Sequence, residues 1–147
     1  MKTATPVFSA LSPADARSLL ARHHVGRIAY ALHGRVDIEP VHYAYDGEWL
    51  FGRTSMGTKL ATLVHHPWCA FEVDEVHAVF DWASVVVKGS FRLLDPESAG
   101  NYRRALELLS SIVPDTFSPG DPAPHRTILF GIYAQEITGR TATTHPE

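Results

Sequence analysis

The chain has 147 residues, 45% of them hydrophobic and 20% charged, with 13 Lys+Arg against 16 Asp+Glu for a formal net charge of −3. That is the length of one domain with room for a sizeable core. The charge balance leaves no basic surface of the kind that phosphate neutralisation on DNA or RNA requires. No stretch approaches the ~20 apolar residues of a membrane span, and the N-terminus lacks a signal-peptide core. The expectation is a cytoplasmic protein with neither nucleic acid nor membrane as a partner.

In chain order, "LSPADARSLLARHH" opens with Ser12 as N-cap and Pro13 at the first helical position. Ala16, Leu19, Leu20 and His23 then share one face, a short helix ended near Gly26. "GRIAYALHGRVDIEPVHYAY" changes to period two: a hairpin turning at Gly34, whose second strand runs from Val36 to Tyr45. Pro40 cannot donate to a ladder, so that strand is an edge there or is bulged. A turn at Asp46-Gly47 leads to a third strand, Glu48 to Arg53. Leu60, Leu63 and Val64 mark a short helix that Pro67 stops.

"WCAFEVDEV" is a fourth strand, in which Cys69 reads as a small buried hydrophobe. "SVVVKGSFRLLD" is a fifth, with Val85, Val87, Phe91 and Leu93 on one face. An amphipathic helix lies between Pro96 and about Val113, "PDTFSPGDPAP" is a loop, "HRTILFGIYAQEITGR" is a sixth strand, and "TATTHPE" is a frayed tail. Six strands joined by short turns protect their edges best by closing up. The expectation is a mainly β fold with peripheral helices: a six-stranded antiparallel split barrel in a single domain, 1–147, with an ordered core over 11–140.

The stretch "FGRTSMGTKLATLVHHP" carries the clearest chemistry. A phosphate needs dense donors and positive charge. Lys59 offers an ammonium at a helix start, Thr54, Ser55 and Thr58 offer hydroxyls, and Gly57 lets the backbone approach. The helix start adds free N–H groups and a positive dipole end, and Arg53 adds a planar fork of donors. Nine histidines raise the question of a metal. Yet His23-His24 and His65-His66 lack zinc-site spacing, and no Cys or carboxylate completes a set. No metal is expected. A serine hydrolase has no nucleophile elbow here.

Four patterns in order resemble the pyridoxamine 5′-phosphate oxidase-like superfamily of FMN-binding split barrels. They are the hairpin with "PVHY", "RTSMGTKLATLVHHPWCAFEV", "WASVVVKGSFRLLD" and the closing "ITGR", together spanning roughly Leu11 to Arg140. The nearest resemblance is to its small flavin-nucleotide-binding and nitroimidazole-resistance-like members. The resemblance implies an FMN cofactor whose ring lies along "EPVHY", placing Glu39, Pro40, Val41 and His42 at the site, with the amides of Val41 and His42 facing the ring. It also implies a flavin contact at Ser84, five residues before Gly89, and packing of Trp82 on the ligand or a partner subunit. It further implies a homodimer that holds flavin between its chains, and a redox reaction on a small organic substrate, with no catalytic residue singled out. A non-catalytic flavin-binding module and a deazaflavin-dependent reductase are the alternatives. The chain closes in "ITGRTATTHPE" rather than the Arg/His-rich substrate motif of true pyridoxamine phosphate oxidases, so the resemblance does not carry that activity.

Overall fold

The computed structural model describes residues 5–98 and 100–145. Its elements are β1 (Thr5–Ala10), α1 (Pro13–Arg22), β2 (Val25–Leu32), β3 (Arg35–Tyr45), β4 (Trp49–Thr54), α2 (Thr58–His65), β5 (Trp68–Ala78), β6 (Asp81–Leu93), α3 (Asn101–Ile112) and β7 (Ile128–His145). All pairings are antiparallel, in the order β1-β7-β4-β3-β2-β5-β6, and β6 pairs back onto β7. Six strands therefore form a ring, as the sequence reading expects, and β1 is a seventh. β1 lies along Arg140 to His145 of β7, further down that strand than Ile128 to Tyr133, which pair with β4. Residues 141–145 are accordingly strand rather than a frayed tail. Pro146 and Glu147 lie outside the described residues.

Local chemistry explains the elements. Ser12 Oγ accepts the Asp15 amide at 3.1 Å and caps α1. His33 and Gly34 both have positive φ, 51° and 76°, which is the two-residue hairpin turn that suits twisted strands. In α2 the buried face is Leu60, Thr62 and Leu63, while Val64 is exposed. The barrel interior holds Ile28, Tyr43, Phe71, Val85, Val87 and Ile132, joined by Leu19 and Leu20 of α1 and by Leu60 and Leu63 of α2. Tyr43 donates its hydroxyl to the Leu20 carbonyl at 2.6 Å, tying the end of α1 to that interior. α3 packs Ala105 and Leu109 against Ala44, Phe51 and Leu129 in a second cluster. Cys69 is buried within the barrel, and burial pushes its thiol up to about 12.

Two irregularities shape the barrel. Opposite Gly89 the β6–β7 register skips Gln135, a bulge. A Cβ on Gly89 would lie 1.8 Å from the Tyr133 carbonyl oxygen, so only glycine lets the strands approach there. The second irregularity is β3, which pairs with β2 over Arg35 to His42 but with β4 only over Tyr43, Ala44 and Tyr45. Residues 35–42 therefore present an open edge. Of the two options the sequence leaves for Pro40, the edge is the one realised. Tyr43 donates to the His24 carbonyl, and by the antiparallel alternation Val41 and Glu39 also point to β2. Pro40, opposite Arg27, then lacks its N–H on the open side, where no ladder bond is lost.

Replacing Gly89 with alanine should destabilise the protein by at least about 3 kcal/mol through forced separation of β6 and β7. Gly57→Ala, which meets no atom within 4 Å, should leave the melting temperature nearly unchanged. Thermal melts of the two variants side by side check this. Equal melting temperatures would show that the Gly89 contact relaxes freely.

Candidate functional site

Where β3 and β4 part, a cavity of about 400 Å³ opens. Its walls come from the open edge of β3 (Glu39, Pro40, Val41), the end of β4 with the turn after it (Arg53 to Gly57), and the start of α2 (Thr58, Lys59). Tyr30, His125 and Arg126 complete it. Of these, the sequence points to Glu39, Pro40, Val41, Arg53, Thr54, Ser55, Gly57, Thr58 and Lys59, and the fold brings them together across 20 residues of chain, with Met56 added. His42 sits at the rim of a neighbouring cavity. Trp82 and Ser84 line neither cavity. Trp82 packs against Phe8 at 6.4 Å between ring centroids, and Ser84 donates to Glu72 Oε2 at 2.8 Å.

The donor set differs from expectation in three particulars. Arg53 was read as an open fork for an anion, yet its fork is taken. It makes a two-pronged pair with Asp121, at 3.1 and 2.6 Å, and donates to the carbonyls of Ala123 and Arg126. Its guanidinium also lies 4.7 Å over the Phe117 ring. Both side chains are buried, 8% and 2% exposed. Arg53 therefore fixes the 114–127 connection to β4, and Asp121 reinforces this by accepting the amides of Phe117 and Ala123.

Lys59, expected to offer its ammonium freely to a phosphate, has only 18% of its side chain exposed, and its Nζ lies 3.2 Å from Glu39 Oε1. Glu39 also accepts the Tyr30 hydroxyl at 2.7 Å. Burial first, then Glu39, holds that hydroxyl protonated well above the ordinary tyrosine range. Finally, adjacent amides on a strand face opposite edges, so only His42 of the pair Val41–His42 has its N–H on the open side.

What remains is a set of unpaired donors. α2 begins at Gly57 with no side-chain cap. The amides of Thr58, Lys59 and Leu60 have no hydrogen-bond partner among the described residues, the first helical bond being that from Ala61 to Gly57. The hydroxyls of Ser55 and Thr58 stand beside them in the same cavity. Arg126 carries no expectation as a site residue because the sequence pattern sets it at the start of the sixth strand, whereas β7 begins at Ile128 and Arg126 lies in the connection before it. It lines the cavity with no partner for its guanidinium among the described residues. Among those residues no three His, Cys, Asp or Glu side chains cluster as metal ligands would. No helix there is long and apolar enough to cross a membrane.

The fold is thus a split β-barrel with an uncapped helix start and a cation facing the split. The family model described as pyridoxamine 5′-phosphate oxidase matches residues 12–141, and the chain belongs to that family. Among solved structures, an FAD-binding protein from Mesorhizobium loti is 28% identical, covering 95% of this chain and 99% of its own, with a TM-score of 0.77. A conserved protein of unknown function from Corynebacterium diphtheriae is 26% identical over 92% of this chain and 98% of its own, with a TM-score of 0.70. An FAD-binding protein from Mycobacterium smegmatis, 24% identical over 90% and 99% with a TM-score of 0.67, shares the fold.

The Arg53–Asp121 clamp has a pH signature. The hydrogen bonds from Arg53 hold the Asp121 carboxyl far below the usual carboxylate range. The folded-state pKa being depressed, the stabilisation is complete above the unfolded value of ~3.9 and is lost as pH falls below it. Asp121→Asn should melt lower than wild type at pH 7 and lose less on going to pH 3. Glu75, whose carboxyl Arg22 and His23 hold down at about 2, contributes a slope that the variant keeps. Melts at the two pH values decide it, and an unchanged slope would remove the clamp from the account of acid stability.

Proposed function

We propose that this chain is a flavin-dependent oxidoreductase that binds FMN non-covalently and acts on a small organic substrate. The observation that carries the reading is the gathering of Ser55, Thr58, Lys59 and the uncapped start of α2 in one cavity beside the open β3 edge. These groups fit a phosphate. The amides aim N–H groups with the helix dipole behind them, and the ammonium adds charge where Arg53 cannot. The similarity to an FAD-binding protein at 28% identity over nearly the whole of both chains supports a flavin. The phosphate groups of FMN and of the dinucleotide make the same demand on this cavity.

Glu39 moderates the site. Its carboxylate holds Lys59 in place when no anion is present and competes for it when one is. The His42 amide and the Pro40 gap leave the β3 edge free to meet a ring's polar rim, which is the role we assign to "EPVHY". The flavin would supply hydride or electron transfer. The residues of this chain bind its phosphate, orient its ring and keep water from one side of it.

Trp82 and Ser84 lie outside the cavity of their own chain, so a second copy is the route by which they reach a flavin. Val36 and Trp68, exposed to 73% and 52%, flank a surface cleft with Ala29 and Ala31. Such an apolar face on a sheet is suited to pairing with itself about a two-fold axis. Light scattering of the purified protein at micromolar concentration should give a dimer, and Trp68→Glu should shift it towards monomer. A wild-type monomer with flavin bound would contradict the assignment.

Purified protein should be yellow and release its flavin on denaturation, and colourless protein that fails to take up FMN would sink the reading. Lys59→Ala should weaken FMN binding by about ten- to hundredfold, the worth of one charge-assisted contact of ~1.5–3 kcal/mol. Glu39→Gln should tighten it by freeing Lys59. Equilibrium titration of both variants reads the opposite signs. An unchanged dissociation constant in Lys59→Ala would reduce the stretch to an ordinary helix start.

A further inference from the structure

The cavity next to the first has a different chemistry. Leu109, Ile112 and Val113 at the end of α3 face Pro122 and Ala123 of the following connection, enclosing about 400 Å³. His42, His125 and Arg126 supply its polar lining. Arg53, His125 and Arg126 also line the first cavity, so the two adjoin. The walls are held in place: α3 is anchored by Ala105 and Leu109 in its own core cluster, and the connection is pinned by the Arg53–Asp121 clamp and the two carbonyls Arg53 holds. This second cavity is thus preformed, which small-ligand sites commonly are, and its volume falls within their range.

Its contents can be inferred from its lining. Aliphatic side chains opposite a proline ring make an apolar slot that suits a flat ring. Arg53 has its charge balanced by Asp121, so the guanidinium available to a ligand is that of Arg126, which has no partner among the described residues. A planar guanidinium with free donors selects a carboxylate or phosphate. We propose that this cavity is a second ligand site, taking a small aromatic anion with its ring between Ile112 and Pro122 and its anionic group on Arg126. That chemistry has two sources. It belongs to a free aromatic acid, which would make the site the substrate pocket of the oxidoreductase, or to the adenylate end of a flavin dinucleotide. The site itself follows from the cavity, whereas its role as substrate or cofactor pocket rests on the flavin reading.

The test is calorimetric titration of the FMN-loaded protein, and of the same protein stripped of flavin, with salicylate and separately with AMP. One probe or both should bind, one per chain. Ile112→Trp, which fills the slot, should abolish that binding, and Arg126→Gln should weaken it about tenfold or more. If Ile112→Trp does not fold, Ala123→Leu fills the slot from the connection instead. AMP binding together with tighter uptake of FAD than of FMN identifies the dinucleotide end, and salicylate binding identifies a separate aromatic acid. Failure of the protein to take up any flavin would sink the flavin reading but leave the flavin-free titration to decide the site. Neither probe binding, or binding indifferent to the filling variant and to Arg126→Gln, overturns the proposal.

Discussion

The pairing of β3 with β4 lasts for three residues and then stops. The chemistry-bearing groups singled out above depend on that short ladder. Because the strands part, residues 35–42 keep an open edge, and Pro40 can sit in it at no cost to the ladder with β2. The end of β4 is also left free to turn into α2, whose uncapped start then faces the same gap. A continuous β3–β4 ladder would seal the barrel and leave Ser55, Thr58 and Lys59 on an ordinary surface.

The distribution of charge around the gap follows from burial. The chain as a whole is acidic, yet three of its cations converge here, and they are not equivalent. Arg53 is buried and fully engaged with Asp121, which is the arrangement a desolvated guanidinium requires. It acts as a fastener for the connection between α3 and β7. Lys59 is half-committed, held by a Glu39 that is itself more than a third exposed, so an incoming anion can take the ammonium over at modest cost. Arg126 alone is uncommitted among the described residues. Structural, exchangeable and available cations thus lie side by side.

Much of this was legible in the sequence because it is local. Period-two alternation marks β2 to β7, and Ser12, Gly34 and Pro67 punctuate the elements where they were expected to. The phosphate-binding reading of 53–59 rests on neighbours in sequence, and neighbours in sequence stay neighbours in the fold. What the sequence hid is non-local. β1 has five exposed residues out of six and no periodic pattern, so only the length of β7 reveals a place for it. The partner that occupies Arg53 lies 68 residues away, and Lys59 meets Glu39 through the sheet rather than along the chain. Trp82 and Ser84 came from resemblance alone, and one copy of the chain does not bring them to the cavity.

The claim on which the functional reading stands is that the α2 start grips a phosphate. It is tested most directly by comparing the dissociation constants of FMN and of riboflavin on the wild-type protein at one ionic strength. The two ligands share the ring and ribityl chain and differ by the phosphate alone. FMN should bind at least about a hundredfold more tightly, corresponding to ~2.7 kcal/mol from several charge-assisted hydrogen bonds. Equal affinities would mean that the ring alone is recognised and that the uncapped helix start has no part in binding.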